Sequence, residues 1–99
     1  MNPIKEAKLE FAKLLSDRLG ITEDKVYENI EYPPKEQMGD LSLPLPTITK
    51  DREKLSVSDF PSGKLIKDIK KTGIYVNAIL NERELFLLIF SNLSEDYGI

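Results

Sequence analysis

Apolar residues at Ile4, Ala7, Phe11, Leu14, Leu15 and Leu19 recur every three or four positions, the period of a helix with one buried face. Asn2 and Pro3 suit the start of such a helix and Gly20 its end. Thr22, Glu23 and Asp24 open a second, shorter helix whose apolar positions are Val26 and Ile30. The pair Pro33-Pro34 forbids its continuation, so Ile30 to Pro33 reads as a short strand leaving into a loop. After the Gly39-Asp40 turn, Leu41, Leu43 and Leu45 alternate with Ser42, Pro44 and Pro46. That is a period of two, in which the prolines favour an edge strand or an irregular extended segment over a central strand. Lys50 to Lys54 reads as an exposed turn or the end of a short helix, and Ser56 to Pro61 as a connection.

Ser62 then suggests the cap of a helix running through Lys71, with Leu65, Ile66 and Ile69 as its apolar stripe and Gly73 as its terminator. Ile74 to Leu80 is the clearest strand: Ile74, Val76, Ala78 and Leu80 face one way, Tyr75, Asn77 and Ile79 the other. Asn81 with Glu84 three residues later makes a capping-box-like start for a last helix. In that helix Leu85, Leu88, Ile89 and Leu93 form the apolar face. Phe86 and Phe90 extend it so far round that it should be buried on more than one side or await a partner.

The 99 residues suit one domain over 1–99. There is no His, Cys or Trp, which removes imidazole bases, thiol nucleophiles, disulfides and the usual zinc or iron-sulfur ligand sets. The glycines are dispersed, so no phosphate-cradling Gly-rich loop is present, and no serine sits in a nucleophile-elbow motif. Glu82, Glu84, Glu95 and Asp96 lie at opposite ends of one helix, a poor cation site. Neither catalytic residues, nor a metal, nor a cofactor is expected. No apolar run is long enough to span a bilayer, so the default reading is a cytoplasmic protein without a membrane partner.

The net charge is -3, which gives no cationic field over the whole chain, yet residues 61–81 carry four Lys against one Asp. On the helix expected there, Lys64, Lys67 and Lys71 share a side, with Lys70 beside them. They are either a solvated face or a phosphate-contacting patch. Tyr75 and Asn77 follow on one face of the next strand. Two readings are open: a half-buried Tyr and an Asn satisfying backbone groups at a sheet edge, or a ring that stacks on an unpaired base beside an amide that reads its edge.

Three segments in register carry a resemblance: Ile30-Glu31-Tyr32-Pro33-Pro34, Gly39-Asp40-Leu41-Ser42-Leu43-Pro44-Leu45 and Thr72-Gly73-Ile74-Tyr75-Val76-Asn77-Ala78. Together they resemble the N-terminal additional domain of arginyl-tRNA synthetase, in its archaeal form, over almost the whole chain. The resemblance implies an α+β domain: a small antiparallel sheet of about four strands flanked by about four helices. It also implies contact with the D-loop at the elbow of tRNA, the arginine-accepting tRNA if the chain is linked to a synthetase. The family's aromatic-x-amide strand, which recognises an exposed nucleotide, falls on Tyr75 and Asn77, with a third position on Thr72; the Gly39-Asp40 turn is assigned mainly to structure. A chain without His cannot contain the synthetase's ATP-binding signature, so the expectation is a non-catalytic tRNA-binding module of translation, either free-standing or excised, with Lys64, Lys67, Lys70 and Lys71 on phosphates. The competing expectation is a protein-interaction module that docks on a synthetase or on itself through the last helix.

Overall fold

The computed structural model describes residues 3–32 and 39–96, with side chains as far as residue 91. Helix α1 (Pro3–Leu19) buries Ala7, Phe11, Ala12, Leu15 and Leu19, the stripe its periodicity requires, and α2 (Glu23–Asn29) buries Val26. Strands β1 (Leu41–Pro44), β2 (Ile66–Thr72) and β3 (Tyr75–Leu80) form an antiparallel sheet in the order β1-β3-β2. A single 3-10 turn (Leu45–Thr47) and the short helix α3 (Arg52–Leu55) follow β1, and α4 (Glu82–Asp96) follows β3. At the start of α4 the Glu84 N–H donates to Asn81 Oδ1 at 3.2 Å, the cap that the Asn81/Glu84 spacing predicts. None of these helices is long and apolar enough to cross a membrane.

This is the α+β arrangement expected, with four helices but three strands among the described residues rather than about four. The segment that would supply the fourth strand is reduced to one bridge: Glu31 N–H donates to the Ser42 carbonyl at 2.7 Å and Ser42 N–H to the Glu31 carbonyl at 2.8 Å. Pro33 and Pro34, which have no N–H to extend a ladder, come next in the sequence and lie outside the described residues.

The larger departure is at residues 62–71, which form no helix. The sheet register slips between Ile66 and Asp68, a bulge that puts Lys67 out of step with β3. Ile66 and Ile69 are therefore both buried on one side of a strand although three residues apart. Three-residue spacing of apolar positions is also the mark of a helix, so a bulged strand imitates one. Gly73 likewise ends no helix. Its φ of +62° lies in the two-residue hairpin turn Gly73-Ile74, between the facing pair Thr72 and Tyr75.

Leu41, Leu43, Ile66, Ile69, Val76, Ala78 and Leu80 form the inner sheet face and join Phe11, Leu15, Val26 and Ile30 in one core cluster. Side chains as completely enclosed as Phe11 and Leu15 each stabilise the fold by about 1.5–3 kcal/mol through removal from water. A polar fastening joins α1 to the sheet. The Glu10 carboxylate accepts the backbone N–H groups of Lys64 (3.2 Å), Leu65 (2.7 Å) and Ile66 (2.7 Å), which lead into β2. Further along α1, Arg18 Nη2 donates to Asp59 Oδ1 at 2.8 Å and Arg18 Nε to the Asp59 carbonyl at 3.0 Å.

Replacing Glu10 with Ala leaves three donors to find water at a partly buried junction, and should cost about 3 kcal/mol in urea unfolding. The Arg18 hydrogen bond, then its charge, then a backbone hydrogen bond hold the Asp59 carboxyl below its ordinary value of 3.8. The folded state thus binds this proton less readily than the unfolded chain, so the contribution is complete above that ordinary value and lost as pH falls through the lower folded value. An NMR titration should give Asp59 a midpoint below 3.8 that returns towards it in Arg18→Ala.

Candidate nucleic-acid interface

Residues facing each other across antiparallel strands share a sheet face, and alternate residues along each strand do too. The register pairs Ser42 with Asn77 and Asn77 with Lys70, and Pro44 with Tyr75 and Tyr75 with Thr72. Tyr75, Asn77, Thr72 and Lys70 therefore lie together on the outer sheet face, which contributes nothing to the core cluster. Thr72 and Lys70 are exposed and Tyr75 is half-buried. Ile79 and Asp68 continue this face, and Lys70 Nζ stands 3.9 Å from Asp68 Oδ2.

Asn77 is not at a sheet edge. It sits on the central strand with 7% of its surface exposed, and its Oδ1 accepts the Ser42 hydroxyl at 2.8 Å. Gly39 crosses beside it. With φ at +85° and a hypothetical Cβ 2.8 Å from the Ala78 carbonyl oxygen and 3.5 Å from Asn77 Cβ, only glycine fits this crossing. The next residue secures it: Asp40 N–H donates to the Ala78 carbonyl at 2.8 Å, and Asp40 Oδ2 accepts the Leu80 N–H at 3.0 Å. The Gly39-Asp40 pair is thus structural, as the sequence suggests, and the structure it builds is the wall beside Asn77.

The four lysines do not form one surface. Loss of the expected helix disperses them. Lys70 stays beside Asn77. Lys67, at the bulge, lines an open depression of about 390 Å³ with Asp40, Ile79, Asn81, Glu82 and Arg83. Lys64 lies instead in a cleft of about 350 Å³ between α1 and α4, among Glu6, Glu10 and Glu84. Lys71 pairs with Val76 on the inner side, and its ammonium donates to the Leu55 carbonyl. Of the four, Lys67 and Lys70 remain by this sheet face.

Sequence reasoning overlooked Ser42, whose signal was a lone hydroxyl between Leu41 and Leu43 in an otherwise apolar stretch. It also left Tyr32 unassigned. The Lys8 ammonium lies 4.4 Å from the centre of the Tyr27 ring and 5.8 Å from that of Tyr32, a cation-π cluster that joins α1 to the end of the α2 segment. No group of three His, Cys, Asp or Glu residues suited to a metal ion occurs among the described residues.

Comparison with known proteins bears on what this face belongs to. No family model matches the chain. All of it aligns with the arginine–tRNA ligase of Sulfurisphaera tokodaii at 71% identity over 100 residues. The chain is homologous to a segment of the archaeal arginine–tRNA ligases. The ligases of Sulfolobus acidocaldarius and Saccharolobus solfataricus match it at 48% identity over 102 residues and 46% over 101. The chain spans 16% of the length of each of these ligases, which is consistent with an N-terminal domain of such an enzyme.

Replacing Gly39 with Ala in this ligase-like segment forces a Cβ against a backbone oxygen. It should destabilise the protein by about 2 kcal/mol or more in urea unfolding, beyond the usual cost of a surface substitution.

Proposed function

We propose that the chain is a non-catalytic tRNA-binding module whose outer sheet face meets the D-loop at the elbow of tRNA. Tyr75 stacks on an exposed base, Asn77 reads its edge, and Thr72 contacts the adjoining backbone. Lys70 and Lys67 neutralise phosphates. The observation that carries this reading is the register itself, which aligns Tyr75, Asn77, Thr72 and Lys70 on a face outside the core cluster. Homology to arginine–tRNA ligases supports it by supplying tRNA as the polyanion, the arginine-accepting species first, in the cytoplasm where translation runs. Aminoacylation belongs to the remainder of such an enzyme, since the chain corresponds to 16% of its length.

One stacked base contributes ~1–3 kcal/mol, and two phosphate contacts give a log-log salt slope of roughly -1.4 to -1.8. Binding by the chain alone is then micromolar or weaker, and tethering to a synthetase would raise it through effective concentration.

A second reading rests on α4. Phe86 and Phe90 are 64% and 61% exposed and stack on each other with centroids 6.2 Å apart, an apolar surface suited to docking on a synthetase or on a second copy. Sedimentation over the micromolar range separates the readings: a strict monomer that binds tRNA favours the first, and a dimer that does not bind tRNA favours the second.

In fluorescence anisotropy at low salt, Tyr75→Ala should weaken tRNA binding by about 5- to 150-fold. Lys70→Ala should flatten the salt slope by about 0.7 to 0.9. Equal binding by wild type and Tyr75→Ala would refute the stacking role.

A further inference from the structure

Ser42 and Asn77 are the two buried polar residues among those described, and they are bonded to each other. They face one another across β1 and β3, on the sheet side away from the core cluster. The strand register gives no reason for a hydroxyl here, since β3 already has its backbone paired to β1 and β2. The hydroxyl bonds the side chain of Asn77 and not the backbone ladder. What the hydroxyl does is hold an amide. An Asn side chain turns its carbonyl and NH2 ends about a terminal torsion with a broad, roughly two-fold profile, so an unrestrained Asn offers a base edge a donor or an acceptor indifferently. The Ser42 O–H, donating to Oδ1 at 2.8 Å, selects one of those orientations, and Gly39 passes close enough that a Cβ placed on it would lie 3.5 Å from Asn77 Cβ.

We propose that Ser42 is a positioning residue: it presets the Asn77 amide so that this amide discriminates between bases instead of merely accepting any of them. The inference rests on the reading of Asn77 as the base-contacting amide and adds what makes that contact selective. It also joins the two sequence motifs physically, because Gly39 and Ser42 come from one and Asn77 from the other.

The test measures ratios. Binding of tRNA transcripts differing only in the exposed D-loop base is compared for wild type, Ser42→Ala, Ser42→Thr and Asn77→Ala, with backbone amide spectra reporting that each variant is folded. The wild type is expected to prefer one base by about tenfold, the scale of a single base-edge hydrogen-bond set. Asn77→Ala and Ser42→Ala should both bring that ratio close to unity while keeping the affinity that stacking on Tyr75 supplies, and Ser42→Thr, which retains the hydroxyl, should keep it. In the free protein, the Asn77 side-chain NH2 shifts should depart from those of an exposed Asn in wild type and should move towards them in Ser42→Ala. A folded Ser42→Ala that keeps the full preference while Asn77→Ala loses it overturns the positioning role and leaves the base-reading role intact. Loss of preference in Ser42→Thr equal to that in Ser42→Ala also overturns it, since the hydroxyl would then not be the cause. Absence of any preference in the wild type sinks the base-reading role, and the positioning role with it.

Discussion

The three hydrogen bonds that the Glu10 carboxylate accepts from Lys64, Leu65 and Ile66 define where β2 begins. A carboxylate is a strong acceptor with room for several donors, and the backbone N–H groups at a strand entrance have no ladder partner there. Joining the two ties α1 to the sheet at one point. From that point Ile66 enters the core, Lys67 is displaced into the bulge, and Ile69 returns to the core. The hairpin then closes at Gly73-Ile74 with Thr72 facing Tyr75. Had β2 paired with β3 one residue out of register, Lys70 and Thr72 would lie on the inner face, and the outer face would lose the lysine beside Asn77.

That register sets up an unequal sheet. One face is continuous with the helical core, and the other carries a tyrosine, an amide, a threonine and a lysine over a central strand whose backbone is already paired. A buried amide on such a face is costly unless bonded, and the Ser42 hydroxyl meets that need. If Asn77 contacts a base as proposed, an amide already held by a hydrogen bond next to a half-exposed ring has less freedom to lose on binding. On the proposed reading the dispersal of the lysines fits the same economy: Lys67 and Lys70 would position a polyanion, while a chain of net charge -3 has no cationic field to attract one indiscriminately.

Both helix starts, the last helix with its Asn81 cap and the strand expected over Ile74 to Leu80, which runs from Tyr75, were legible in the sequence, because each is encoded within a few neighbouring residues. The pairing of Tyr75 with Asn77 on one face was legible for the same reason, since strand alternation is local. The segment 62–71 was not. Its three-residue apolar spacing and its lysines fit a helix, and only pairing with β3 across a bulge decides otherwise. Ser42 could not be singled out because its side-chain partner lies 35 positions away.

The sequence by itself therefore determined which residues cap the helices and fill most of the core and, through three motifs in register, which enzyme family the segment resembles. Tertiary structure alone decided which of those residues meet. Sheet register and the Glu10 fastening are long-range choices, made by whichever pairing satisfies the most backbone groups and buries the most apolar surface. Those choices moved Lys64 and Lys71 away from Asn77, kept Lys70 next to it, and brought a serine from a distant motif to hold its amide.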